Sequence, residues 1–460
     1  MNWNTMNNNY LINKYSKAGP RYTSYPTVPN WVEHGIDPEN WKRKLESISI
    51  NQLKNEGISI YIHLPYCESL CTFCACHKRI TKNHEVESTY ISALKQEWQL
   101  YLDSFKEIPV LKELHLGGGT PSFFSPENLT SLLTEILSGV EIAKNKVFSF
   151  EGHPNNTTEK HLQTLFNLGF RRVSFGVQDY DLKVQNAIHR LQPFEAVKNV
   201  TDKARKIGYT SISHDLVFGL PFQTLDSIYY TVKKTLELQP DRIAFYSYAH
   251  VPWLKGNGQR GFLDSDLPTP HKKRELYEFG LQLFEEAGYS EVGMDHFALP
   301  SDELFEAMQN GSLHRNFMGY TTQTSKILIG LGASAISDLG DIYSQNLKNI
   351  ESYKNSLENL EFPLEKGLEL TDLDVFIKQQ ILNIMCGFET SWTEEDLDML
   401  NKSKLLEELS EFENDGLLLL KENGIMVTEM GKPFVRNISM AFDQYLTDLK
   451  PHQKLFSQTI

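Results

Sequence analysis

The chain has 460 residues, a mass of 52.9 kDa and a formal charge of −14 at pH 7. With 40% hydrophobic and 23% charged residues it has the composition of an ordinary globular protein, which excludes fibrous repeats and disorder. No apolar run approaches the ~20 residues of a membrane-crossing helix. The acidic balance argues against bulk binding to nucleic acid or an anionic membrane surface. Met1 to Tyr10 is polar and Asn-rich, with neither the charged nor the apolar part of a secretory leader, so a cytoplasmic protein is expected.

Residues 1–50 are rich in Pro, Tyr and Asn, and the run Gly19–Thr27 contains two prolines. This reads as an extended arm. From Gly57 a β/α rhythm begins. Ile58, Ile60 and Ile62 alternate with Ser59, Tyr61 and His63, the periodicity of a strand. A helix is expected over about 85–105, a strand over 110–116, and a helix opened by Ser125-Pro126. Further strands are expected over 147–151, 172–178, 211–218 and 243–249. Between them fall helices over 158–168, most of 182–207, and 224–238, with another over 270–287.

Alternation of this kind implies parallel β/α units. Polar or glycine-rich residues follow most of the strands: the cysteines, Gly117–Thr120, Glu151, Gln178, Asp215 and Ala249-His250. In β/α barrels that strand end carries the active site. Beyond about residue 360, helices over 371–385, 393–400 and 404–415 precede two short strands flanking Asn423-Gly424, a favoured tight turn. This predicts a winged-helix-like unit. Residues 366–460 carry nine Lys/Arg against seventeen Asp/Glu, so a nucleic-acid role is not expected there.

Of five cysteines, four crowd into Cys67, Cys71, Cys74 and Cys76, while Cys386 stands alone in an apolar stretch and reads as a packed thiol. The spacing matches neither the paired C-x2-C of zinc sites nor the ferredoxin pattern. Three thiolates on one loop after a strand can hold three irons of a [4Fe–4S] cube and leave the fourth open.

Cys67–Cys71–Phe73–Cys74 after Tyr61–Pro65 resembles the signature of the radical SAM superfamily, and Gly117–Thr120 resembles its glycine motif. More narrowly, the chain resembles the oxygen-independent coproporphyrinogen III oxidase family. The features that carry this are the arm Gly19–Thr27, the extra Cys76, Gly176–Asp179, Met294–Phe297, His314–Phe317, Gly319–Gln323 and Arg436–Ile438. The resemblance implies a partial β/α radical SAM barrel in residues 51–365, with its core at about 52–290. It also implies an N-terminal arm, 1–50, over the active site and a mainly helical C-terminal unit, 366–460.

The resemblance further implies an activity. A 5′-deoxyadenosyl radical made from S-adenosylmethionine removes hydrogen from two propionates of coproporphyrinogen III, giving the vinyl groups of protoporphyrinogen IX. By the same resemblance, Cys67, Cys71 and Cys74 hold the [4Fe–4S] cluster, and Cys76 does not ligate it. Tyr61, Gly118, Glu151 and Ile336 line a first S-adenosylmethionine. Phe73, Gly119, Thr120, Gln178, Arg190, Asp215 and Ala249 line a second. A low-potential electron donor of flavodoxin or ferredoxin type and a monomeric state are implied too. The alternative is a haem chaperone of the same superfamily, whose relatives lack the fourth cysteine and the arm. Arg21, Arg172 and Arg315 are the candidate cations for propionates. His63, His296 and His314 receive no assigned role.

Overall fold

The computed structural model describes residues 5–253, 258–259, 261–400, 402–446 and 456–459. Six strands run parallel in chain order, each paired with the next: β1 (Ile58–Leu64), β2 (Val110–Gly118), β3 (Glu141–Gly152), β4 (Arg172–Gln178), β5 (Ser211–Phe218) and β6 (Arg242–Ser247). A seventh, β7 (Ile327–Leu331), pairs parallel with β1 on its other side. Antiparallel strands extend both flanks into a 13-stranded sheet, with Val32–Glu33 and Ser290–Gly293 as its outer edges. Among the described residues those edges do not pair, so the barrel stays open.

Period-two alternation sorts the side chains. On β4, Val173, Phe175 and Val177 are buried, with Val173 and Phe175 in the core that includes Leu162 and Leu165 of the helix Glu159–Asn167. Arg172 and Ser174 turn to the concave side. The same rule puts Glu113, His115, Glu151, Ser213, Asp215 and Arg242 on that side, so its lining is polar. The expected β4 and β5 boundaries coincide with the observed ones. Ser125 caps its helix as anticipated, and Thr158 and Thr224 cap theirs.

Three expectations change. Residues 1–50 are not wholly extended: they include the helices Thr5–Tyr15 and Pro38–Ser47, the second capped by Asp37. Tyr15, Tyr22 and Tyr25 are buried in the core of the C-terminal unit, beside Ile377, Leu409 and Phe442. Composition did not reveal this because those aromatics pack on a distant part of the chain. Second, the stretch 182–207, expected to be mostly helical, is so in two pieces, Leu182–Ala187 and Phe194–Ile207. Pro193 stands at the cap of the second piece and Arg190 lies in the break.

Third, the C-terminal hairpin turns at Glu422-Asn423, because Lys421 already pairs with Gly424. Gly424 is needed elsewhere: a Cβ there would sit 2.3 Å from the Thr390 carbonyl oxygen of the neighbouring strand Glu389–Ser391. The wing therefore has three strands rather than two.

One guanidinium ties the chain's two end regions together. Arg436 is buried and donates to the carbonyls of Gly19 and Pro20 in the arm, and to those of Gln458 and Thr459.

The turn after β7 hangs on a buried acid. Glu97 accepts from the Gly332 amide at 2.7 Å, the Tyr353 hydroxyl at 2.6 Å and Asn346 Nδ2 at 2.6 Å. Burial outweighs these bonds and pushes its carboxyl up to about 7. The folded protein therefore holds a proton that the unfolded chain releases near pH 4.5. This group's contribution is present below that pH and is lost as pH rises toward 7. Glu97→Gln should flatten this part of the stability–pH curve. It should also cost about 1–3 kcal/mol, because one amide proton must face a donor. Denaturant melts across pH 4.5 to 7.5 check both.

Candidate active site at the strand ends

The loop after β1 is fixed by main-chain bonds. Gly119 N–H donates to Leu64 O at 2.9 Å, Thr120 N–H to Tyr66 O at 3.0 Å, and Thr81 N–H to Cys67 O at 2.9 Å. With the backbone committed, the thiols are free for other work. Cys67, Cys71, Cys74 and Cys76 share one cavity with Phe73, Gly118, Gly119, Thr120, Glu151, Gln178, Arg190 and Asp215. Eleven of the fourteen candidate cofactor and metal residues thus meet in one place. The other three sit nearby or apart. Tyr61 faces Glu151 across Gly117 and stacks on His115 at 6.0 Å between ring centroids. Ala249 is linked to Phe73 through Gln259, whose Nε2 donates to both carbonyls, at 2.9 and 3.0 Å. Ile336 packs with Trp31 and Tyr343 on the far side of β7.

The polar partners are defined. Cys67 Sγ lies 3.3 Å from Thr120 Oγ1, and Arg190 Nη1 donates to Cys71 Sγ at 3.6 Å. Arg190 Nη2 is held by Gly176 O at 2.6 Å, while its buried Nε has no partner among the described residues. Gln178 adopts φ +68° where the β4–β5 ladder slips by a residue, and this strained bulge lies at the cavity wall. Burial pushes Asp215 up to about 6 against the hydroxyls of Ser174 and Ser213. Burial also pushes Cys67 up to about 11, whereas the hydrogen bond from Cys76 brings Cys74 down to about 6. Cys386, packed beside Val292 and Leu304, is pushed up to about 12 by burial.

Burial keeps the three unassigned histidines neutral: His63 and His296 are pushed down to about 4, and His314 is also lowered. Their partners fix two tautomers. His63 Nε2–H donates to His77 O and its Nδ1 accepts from Tyr61. His296 Nδ1–H donates to Met294 O and its Nε2 accepts from Tyr246.

Among the candidate cations, Arg21 is already paired with Asp295 at 2.8 Å. Arg172 and Arg315 have no carboxylate partner among the described residues. Arg172 lines the concave interior, and Arg315 lies over the Tyr320 ring at 4.6 Å. No residue of 19–27 lines the cysteine cavity. Two contributors escaped the sequence reading. Lys78 Nζ donates to the carbonyls of Cys74 and Cys76, and its spacing after the cysteines was an available signal. Gln259 had no such signal.

The residues fit a cluster and a sulfonium-bearing amino acid. Three thiols rise from one loop, a guanidinium nitrogen is left orphaned, and two glycines make room. A Cβ on Gly119 would lie 2.6 Å from both the carbonyl carbon and oxygen of Pro65. Gly118 N–H donates to Glu151 Oε2 at 3.3 Å. Among the described residues no three His, Cys, Asp or Glu side chains converge on a single metal ion. A four-iron cube instead takes each thiolate at a different iron. Gly119→Ala should force the β1 and β2 ends apart and sharply lower iron and sulfide uptake on reconstitution. Iron analysis beside a thermal melt separates that from global unfolding.

Known proteins resemble this chain over nearly its whole length. Residues 61–235 match the model of the radical SAM superfamily. The oxygen-independent coproporphyrinogen III oxidase of Helicobacter pylori strain J99 is 40% identical over 98% of both chains. That of Pseudomonas aeruginosa is 38% identical, again over 98% of each. The solved coproporphyrinogen III oxidase of Escherichia coli, described as a radical SAM enzyme, superposes with a TM-score of 0.86 at 35% identity, covering 92% of this chain and 97% of that one. The barrel, the arm, the cysteine loop and the C-terminal unit all fall within these matches, and the chain belongs to the oxygen-independent coproporphyrinogen III oxidases of the radical SAM superfamily.

Proposed function

We propose that this chain decarboxylates two propionates of coproporphyrinogen III without oxygen, yielding protoporphyrinogen IX. The observation that carries the reading is the single cavity joining Cys67, Cys71 and Cys74 to Glu151, Gln178, Arg190 and Asp215. Each propionate loses a hydrogen atom from its β-carbon, one electron and carbon dioxide, and a vinyl group remains. The bound [4Fe–4S] cluster and S-adenosylmethionine supply the hydrogen-abstracting radical. Cys67, Cys71 and Cys74 hold the cluster.

The remaining roles are those the family resemblance implies, and side-chain chemistry supports several of them. Tyr61, Gly118, Glu151 and Ile336 are assigned to one S-adenosylmethionine, Glu151 accepting from an ammonium or ribose hydroxyl. Phe73, Gly119, Thr120, Gln178, Arg190, Asp215 and Ala249 are assigned to a second. Arg190 suits a carboxylate, since its buried Nε is unmatched. Thr120 and Arg190 steady the thiols of Cys67 and Cys71 through the contacts described above. Phe73 gives the cavity an apolar wall.

The test is an anaerobic assay with coproporphyrinogen III, S-adenosylmethionine and a reductant, reading vinyl products; their absence sinks the reading. Replacing Cys67, Cys71 or Cys74 with Ala should abolish the cluster's absorption and all cleavage of S-adenosylmethionine, while Cys386→Ala should preserve both. Arg190→Ala should keep the absorption yet lower equilibrium S-adenosylmethionine binding from about two per chain to about one, because a lost carboxylate contact leaves polar groups unpaired. Stoichiometry from labelled cofactor decides it.

A further inference from the structure

A second cavity lies toward the starts of the strands, between the arm, β7 and the helix Asp372–Gly387. It measures about 490 Å³, within the range of roughly 300–1,000 Å³ usual for sites that enclose an organic ligand. Strand register locates it. Leu328 of β7 lines it and pairs with Ser59, while Gly330, two residues on, pairs with Tyr61. Asp338 lines it too, pairs with Leu328 and stands two residues from Ile336. The cavity therefore begins two residues, roughly 7 Å, below Tyr61 and Ile336 and on the same face of the sheet.

Its wall joins apolar surface to an excess of cations. Tyr22, Tyr25, Leu328, Tyr343, Ile381 and Leu382 supply the first. Its charged lining is Lys44, Arg315, Lys326 and Lys378 against Asp338 and Asp341, in a chain of net charge −14. Both carboxylates are engaged by lysines of the same wall, Asp338 by Lys378 at 2.9 Å and Asp341 by Lys44 at 3.3 Å. Arg315 and Lys326 are left with no carboxylate among the described residues. Arg315 is 8% exposed, and its Nε and Nη1 have no partner among those residues, while Nη2 donates to Arg21 O at 3.3 Å. A buried guanidinium with so little compensation is costly until an anion arrives.

We propose that this cavity holds the far side of coproporphyrinogen III, with Arg315 and Lys326 gripping a propionate other than the one that reacts. The inference rests on the decarboxylase reading above and adds an orientation to it. The substrate is a largely apolar macrocycle with carboxylates at its rim, which is the pattern of this wall. A guanidinium takes a carboxylate in bidentate fashion, and an ammonium adds a point charge beside it. Anchored there, the macrocycle extends along the strands past Tyr61 and Ile336, and a different propionate reaches the strand ends where the cysteines lie. Arg315 and Lys326 are thus positioning residues, remote from the reacting atoms. Of the three arginines weighed for propionates, Arg21 is committed to Asp295, and neither Arg21 nor Arg172 lines this cavity. The arm gains a direct contact with substrate, because Tyr22, Thr23, Ser24 and Tyr25 form part of the wall.

The test uses the full chain with its cluster reconstituted and reads binding apart from turnover. The probes are coproporphyrin III, the fluorescent oxidised form of the macrocycle, and its tetramethyl ester, which has no carboxylate. Wild-type protein should bind the free acid about tenfold or more tightly than the ester. Arg315→Met and Lys326→Met should each weaken binding of the free acid by about tenfold and leave that of the ester unchanged. Lys326 is exposed, so its variant decides the matter if Arg315→Met fails to fold. In turnover of coproporphyrinogen III both variants should raise KM more than they lower kcat, and Arg315→Lys should recover part of the loss. Iron content and S-adenosylmethionine binding at the wild-type level identify folded variants. Equal binding of the free acid by the wild type and both variants overturns the proposal. So does an equal loss of acid and ester, which would make these side chains supports for the wall. Oleate that binds the wild type more tightly than coproporphyrin does, and loses that binding in both variants, would give the cavity to a fatty acid instead. Wild-type protein that binds coproporphyrin as expected but forms no vinyl product refutes the decarboxylase reading and leaves the cavity assignment standing.

Discussion

The geometry at the strand ends depends on how closely the end of β2 approaches the end of β1. Gly119 makes that approach possible, since its α-carbon lies against the Pro65 carbonyl with no room for a methyl group. Its amide and that of Thr120 then bond to Leu64 and Tyr66. On the other side, Arg79 and Thr81 donate to Pro65 and Cys67. The cysteine loop is thus held by its backbone on both flanks. Its thiols spend nothing on holding the loop in place, which is how a site gains rigidity before any ligand arrives.

The concave lining follows from the same economy. A parallel sheet covered by helices buries its outer face in Val, Ile, Leu and Phe, so the open inner face is where polar side chains collect. Most of these are matched locally. Arg242 pairs with Asp302 at 2.6 Å, Glu113 accepts from Ser59 and Thr321, and Asp215 accepts from Ser174 and Ser213. Asp302 also accepts from Ser211. Such local pairing keeps the walls polar yet ordered, as a site for charged reactants requires.

Much of this was legible in the sequence, for identifiable reasons. β4 and β5 were readable because local alternation and turn residues decide them. The cysteine loop was readable because its spacing is fixed by chemistry rather than by packing. What stayed hidden depends on contacts far along the chain. The burial of Tyr22 and Tyr25 needs the C-terminal core, and no local pattern signals it. The role of Gly424 looked like turn chemistry but is a clearance for Thr390. The break that frees Arg190 was masked by residues of good helix propensity on either side of Pro193. Gln259, which joins Phe73 to Ala249, gives no sign of that role in its sequence neighbourhood.

Arg436 carries a consequence for how the molecule is made. Its bonds to Gly19 and Pro20 span 417 and 416 residues. During vectorial synthesis the arm emerges long before the guanidinium that anchors it. The barrel strands, β1 to β6, can pair while the arm is still undocked, because each meets its neighbour soon after leaving the ribosome. Tyr22 and Tyr25 must wait, with their apolar surfaces exposed, until the C-terminal core exists to receive them. Docking of the arm therefore waits on synthesis of the C-terminal unit, and a product that stops before that unit would leave these aromatic surfaces uncovered.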